Sequence, residues 1–472
     1  MAMTIALIVI SGVVSVAGGF GAALGGHRST ISNGEINGEA LHKAQDLVEQ
    51  AVATARIRYS SVAESTAKDG MYVKRLSIPV AYATQCAETI ASAVSWTDAR
   101  GRMLSVGATT TIVDVPQMLA LGGACDISPP TGGWSPPATF ASSNFNPGKP
   151  TGLDVLDKNV YMTADHAPYL FIASTTYAAL GQSGGLFVGT GSFTAGVRLN
   201  DIRVAKINGS IYAFTAADSS VKQFRVIDVT DMNNPVLVAV RTLADVSGSF
   251  PQGFRVYYYD KRLYITTRET AGNEFHVFDV STPAAPVELG TGYAVNRTIE
   301  SMVVAKKFHS GSDHYYAYLA TDKDSAELTV LDVTNPAAIT EIAFADQDLP
   351  GNQDGASLYL LANRLYFGRL SGGVSELFVF DASTPWSGLR IIGQRDIGAG
   401  VIGLAVSGPF VWLATTKVSK EFQVYHSDPY DLSPVNTNFN FPNLIENGVR
   451  YSDNFMYVAS QGNDALRIIY SP

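Results

Sequence analysis

The sequence predicts two unlike parts: an α+β module with one long N-terminal helix and a small antiparallel sheet, then an all-β propeller of seven blades. Three observations predict this. A strand motif recurs about every 50 residues through the later two thirds of the chain. An aromatic-rich strand recurs with the same period. The amino terminus is apolar, uncharged and runs into a helical pattern. The expected boundaries are a stem over 1–58, a small β domain over 59–125, a Pro/Gly/Ser linker over 126–150 and the propeller over 151–472.

Residues 1–26 contain no Asp, Glu, Lys or Arg, and glycines cluster at 18, 19, 21, 25 and 26. A run this long and apolar is a candidate membrane span. It lacks the basic n-region of a signal peptide, so the expectation is a chain from which a basic leader has been cut. Beyond it, Ala40, Leu41, Ala44, Leu47, Val48, Ala51, Val52 and Ala55 recur at spacings of three and four. That spacing draws one apolar face along an amphipathic helix. The two segments together predict a stem of about 55 residues, roughly 80 Å long. A stem of this kind must lie in lipid or be buried by other copies of itself.

Between residues 71 and 115 the period changes. Tyr72–Ile78, Thr89–Trp96 and Arg102–Val106 alternate as strands do. The tetrad Asp98-Ala99-Arg100-Gly101 makes a hairpin turn between the last two.

The Ala-rich helix from Ala40 to Glu49, followed by Val94-Ser95-Trp96-Thr97-Asp98 leading to Gly101, resembles the type IV pilins, in particular their minor-pilin and pseudopilin branch. The resemblance covers about residues 1–125. It implies removal of a short leader, methylation of the new amino terminus, and packing of the apolar stem in a filament core. Met1, Ile5, Leu7, Ile10 and Val14 would then be assembly residues. The chain departs from the family at position five, where Ile5 stands in place of the Glu that pairs with a neighbour's terminal amine. The glycine-rich zone from Gly18 to Gly26 matches the stretch that pilins unwind in filaments. Cys86 and Cys125 are the two cysteines of the chain. In an exported chain they are expected to form one disulfide, worth about 4 kcal/mol in the chain-entropy model; two buried thiols are the alternative.

Residues 126–150 are rich in Pro, Gly and Ser and carry no periodicity, so they read as a semi-rigid linker. The repeat follows. Phe224–Thr230, Phe275–Ser281, Leu328–Thr334 and Leu377–Ser383 are near copies ending in Asp-Val/Ala-Ser/Thr, with Asp228, Asp279, Asp332 and Asp381 at matching places. Degenerate copies occur at Phe422–His426 and Leu466–Tyr470, with an early one expected at Leu186–Val188. A second series places Phe171, Tyr212, Tyr264, Tyr318, Tyr366, Trp412 and Tyr457 on equivalent strands. Both series count seven units, and a period of about 40–50 residues with four short strands marks a propeller. Residues 151–160 are expected to supply the outer strand of the last blade and close the ring. The four clear copies resemble the LVIVD repeat of bacterial surface propellers. The recurring Asp is expected to accept hydrogen bonds from the following turn.

Composition narrows the function. Net charge is -9 with no Lys/Arg cluster, which argues against a nucleic-acid partner. Residues 1–125 hold nine basic and nine acidic residues, so the whole surplus falls on the remainder. No Gly-x-Ser-x-Gly elbow or P-loop occurs. His309 and His314 are the nearest histidine pair and are read as a surface loop, and Asp322–Glu327 lacks the register of a calcium loop. No catalytic residue, metal or cofactor is therefore expected. The polar loops entering the inner strands are the candidate ligand face: Asp201, Arg203, Gln252, Glu300, Asp354 and Glu446.

The sequence thus points to a structural subunit of an extracellular, type IV pilus-like cell-surface filament with a membrane-anchored precursor. Its expected partners are copies of itself or other pilins through the stem, the inner membrane before assembly, and a glycan or protein at the propeller for adhesion. A membrane-anchored surface propeller is the alternative, with a propeller hydrolase as a third reading.

Overall fold

The computed structural model describes residues 27–79, 86–98, 100–114, 118, 140–141, 149–175, 187–248, 250–452, 455–461 and 465–470. The apolar run and its assembly residues Met1, Ile5, Leu7, Ile10 and Val14 lie outside these, as do Cys125 and most of the expected linker. Among the described residues no helix is long and apolar enough to cross a membrane.

Helix α1 (His27–Ile57) lies on a four-stranded antiparallel meander of β1 (Ser65–Asp69), β2 (Tyr72–Ser77), β3 (Ala87–Thr97) and β4 (Met103–Val113). The buried face of α1 is a stripe of small residues, Ala40, Ala44, Val48 and Ala51. Small side chains let the helix axis approach the sheet closely. Ala40 and Ala44 meet Tyr72, Val94 and Trp96, whose rings cross edge to face at 6.1 Å. The Ser92 hydroxyl donates to the Ala44 carbonyl at 2.7 Å and pins helix to sheet. The expected β3–β4 turn is present: Asp98 Oδ1 accepts the amides of Arg100 and Arg102, and Gly101 takes φ 75°. Strand β1 was not foreseen, because Ser65–Asp69 is polar and edge-exposed.

Seven four-stranded antiparallel sheets follow. Their inner strands are Pro150–Leu156, Leu199–Ile207, Gly253–Tyr259, Ile299–His309, Gly355–Leu361, Val401–Ser407 and Leu444–Ser452, for blades one to seven. Each packs on the next, and the seventh packs back on the first, so the ring is closed. The chain is a β-propeller of seven blades.

The repeat now has a physical explanation. Asp228, Asp279, Asp332 and Asp381 each end a third strand and accept the amide two residues on, at 2.8–3.1 Å. The Val or Ala between them donates its amide to the hairpin turn of the same blade, as Val280 does to Lys261 O. A second polar position was missed. Gln223, Glu274, Glu327, Glu376 and Glu421 each precede a third strand, and each accepts a backbone amide after the outer strand, such as Val295 or Ile397. These four carboxyls and one carboxamide clamp the crossing to the next blade. Their spacing of 51, 53, 49 and 45 residues was open to view in the sequence. Close approach at the same level calls for glycine: a Cβ at Gly253 or Gly355 would lie 2.5 Å from the carbonyl oxygen of Gln223 or Glu327.

Ring closure differs from the expectation. Residues 151–160 form the inner strand and first hairpin of blade one. The outer strand of blade seven is instead β5 (Phe140–Ala141), which pairs with Ile468 and Arg467. It falls inside the segment expected to be linker, and Pro150 already opens an inner strand, so the propeller takes in residues before 151; the start of the expected linker lies outside the described residues. The first blade was also misregistered. Phe171 sits on its third strand, and the aromatic equivalent to Tyr264 is Tyr161. The equivalent in blade two is Phe214, two residues after Tyr212. Phe187 opens an outer strand, so the early repeat copy is Tyr169–Thr175. The register slipped because the third strand of blade one lacks the terminal Asp; Ser174 occupies that place.

Candidate ligand face and central channel

The inner strands begin at one mouth of the channel, and six of them start with a one-residue bulge. Blade seven differs. Between Leu444 and Val449 its inner strand holds three residues more than the partner strand from Ser460 to Val458. Asn447 adopts φ 52°, and a Cβ at Gly448 would meet Ile445 Cγ1 at 2.3 Å. Such a wide bulge re-aims side chains. Here it carries Glu446 and Asn447 across the lumen.

They meet residues of blades three and four. Arg255 donates from Nη2 to Glu446 Oε2 at 2.6 Å and to Glu300 Oε2 at 3.3 Å, and from Nε to the Glu300 carbonyl at 2.8 Å. Asn447 Nδ2 donates to the same carbonyl at 2.9 Å, and Ser301 Oγ bonds Asn447 Oδ1 at 3.0 Å. This plug bridges the channel near the mouth, from blade seven to blades three and four. Burial pushes the Glu300 carboxyl up, against the pull of Arg255. Arg255 is buried and holds its charge well, because the attraction of Glu446, Asp201 and Glu300 outweighs desolvation.

The expected face is therefore split. Glu300 and Glu446 are brought together, by an Arg255 that the sequence reading did not single out. Asp201 is 3% exposed and structural: it accepts the amides of Ile202 and Val256, tying blade two to blade three. Arg203 lies 3.5 Å from Asp201. Gln252 is half-buried and outside the plug. Asp354 is raised by burial and by Asp322 and Asp324, so it belongs to a separate acidic patch on the rim. Among the described residues no group of three or more His, Cys, Asp or Glu is arranged to hold a metal ion. His309 and His314 lie on the two strands of one hairpin rather than in a loop; their rings are 5.6 Å apart, and His309 stacks on Trp386 at 4.1 Å.

Beneath the plug, one inner-strand residue of each blade stands opposite its buried aromatic: Asp154, Arg203, Tyr257, Val303, Tyr359, Ala405 and Arg450. All but Ala405 line a cavity of about 250 Å³. The far end of that cavity is covered by the N-terminal module through Tyr59, Ser60 and Glu88. Docking is partly polar: Ser60 Oγ donates to Asp313 Oδ1 at 3.0 Å, and Arg364 lies 3.6 Å from Glu64. It is chiefly apolar, with Val62, Ile78, Ile90 and Ile112 in one cluster with Leu361, Ala362, Val406 and Leu432.

Glu88 and Lys307 oppose each other at this docking surface. Burial pushes Glu88 up to about 7, against Lys307, while Asp114 and Glu64 add to the rise and Tyr59 hydrogen-bonds to it. Burial holds Lys307 down to about 8, against Glu88 and Asp381. A carboxyl raised above its ordinary value binds its proton more tightly in the folded state. Its cost is absent below about pH 4.5 and complete above about pH 7. Glu88→Gln removes that titration. Between about pH 5 and 7.5 the wild type is expected to lose about 1–3 kcal/mol relative to Glu88→Gln, read from denaturant midpoints across that range. Parallel curves would refute the assignment.

Residues 314–346 match the LVIVD repeat. No curated protein matches the sequence. Among solved structures, the chain is similar to the WD40 β-propeller domain of Doa1, at 11% identity and TM-score 0.47, over 71% of this chain and 95% of that one. It is similar to the Nup133 β-propeller domain of Vanderwaltozyma polyspora, at 11% identity and TM-score 0.45, over 71% and 97%. It is similar also to YCF48 bound to D1 peptide, at 11% identity and TM-score 0.43, over 73% and 100%.

Proposed function

We propose that the chain is a structural subunit of an extracellular, type IV pilus-like filament that displays its propeller for adhesion or surface interaction. The observation that carries the reading is the continuity of the amino terminus. An uncharged run of 26 residues leads into α1, whose Ala40–Ala44–Val48–Ala51 stripe is buried on a four-stranded meander. In this reading the apolar run builds the filament core with copies of itself or other pilins, after residence in the inner membrane. The propeller carries the whole negative surplus, which suits the part facing solvent. Propellers are protein-interaction and surface-binding scaffolds. Cys86 is 2% exposed, and a disulfide with Cys125 belongs to the same proposal. Intact mass with and without reductant tests it: a gain of about 2 Da on reduction supports the pair.

Electron microscopy of surface material bearing this chain tests the main claim. Ordered filaments with propeller-sized knobs at a regular rise support it; detergent-dependent monomers overturn it. The second outcome would favour the membrane-anchored surface propeller, which the same apolar run allows.

A further inference from the structure

The cavity between the plug and the N-terminal module is unlike a mere lumen in its charge layout. Arg450, Asp154 and Arg203 stand at one level on blades seven, one and two, which are neighbours in the ring. Two guanidiniums thus flank one carboxylate. Asp154 is already engaged, accepting Val204 N at 2.7 Å and Arg450 Nε at 3.3 Å. Arg450 Nη1 donates to the carbonyls of Asn447 and Val449. Its Nη2 is buried and has no protein partner. Leaving a buried charged donor unpaired is costly, and an acceptor that reached Nη2 from the cavity would remove that cost. The opposite wall is apolar and aromatic: Val303 on blade four, Leu358 and Tyr359 on blade five, Leu404 on blade six.

We propose that this cavity binds a small organic acid, its carboxylate on Arg450 and Arg203 and its apolar body against Val303, Leu358 and Leu404. A guanidinium fork suits a carboxylate, and the facing wall suits a compact hydrocarbon or ring. The volume of about 250 Å³ admits a molecule of benzoate size but no polymer.

The test uses the full chain, incubated to equilibrium and measured by dialysis with three probes: benzoate, benzamide and inorganic phosphate. Benzoate is expected to bind one to one. Benzamide, which has the ring without the charge, is expected to bind at least tenfold more weakly. Arg450→Gln should weaken benzoate at least tenfold, with Arg450→Lys between. No benzoate binding, or equal binding of benzoate and benzamide, overturns the proposal without reliance on any variant. Phosphate binding more tightly than benzoate overturns the organic-acid assignment, since the apolar wall would then contribute nothing.

Discussion

Arg255→Met is expected to lower the unfolding free energy by about 3–5 kcal/mol, the range for removing one partner of a buried ion cluster. The size follows from what is left behind. Glu300 and Glu446 would face each other with no cation between them, and the Glu300 carbonyl would keep only Asn447 as a donor. Arg255→Lys should recover only part of this, because one ammonium can replace the Nη2 that meets both carboxylates but not also the Nε that donates to the Glu300 carbonyl. Glu446→Gln should cost less than about 1 kcal/mol, since half of that side chain already meets solvent. Acid should narrow the Arg255→Met deficit. Glu300 is already raised by burial, and without Arg255 it rises further, so its penalty shrinks as pH falls below that raised value and is gone near the ordinary carboxylate value. Denaturant unfolding at pH 7 and at pH 5 reads both effects. A deficit equal to that of Glu446→Gln would show that the plug does not hold the blades together.

How much of this was open to the sequence depended on whether the feature repeats. The third-strand Asp turns were legible because four copies impose the same local hydrogen bond at the same place. The clamp carboxyls from Glu274 to Glu421 repeat just as regularly, yet strand patterns drew attention to the apolar residues beside them. Arg255 was hidden for a different reason. Its partners lie 45 and 191 residues away, and only closure of the ring makes them neighbours. The blade-seven bulge reads locally as another polar turn, because Ile445–Gly448 has turn composition. Strand β5 carries no pattern at all: two residues suffice, since the seventh blade offers them a ready edge.

The other large effect is expected in the aromatic layer, where each blade buries one ring opposite its inner strand. Trp412 in blade six is 0% exposed and stacks on Tyr451 of blade seven, with centroids 5.0 Å apart and planes at 12°. Trp412→Ala should cost about 3–5 kcal/mol, combining lost transfer energy with a cavity between two blades that packed sheets cannot fill. Tyr318 occupies the same register place in blade four, and its hydroxyl is buried with no protein partner. Tyr318→Phe keeps the ring and removes only that hydroxyl, so it should be neutral or stabilise by up to about 1 kcal/mol. The pair separates two accounts of why aromatics recur here. If the layer acts by volume, the alanine variant is damaged and the phenylalanine variant is not. If the hydroxyls mattered through a polar network around the channel, Tyr318→Phe would lose at least about 1 kcal/mol in equilibrium unfolding. The chain itself favours volume, because Phe214 and Trp412 serve at this place without a phenol.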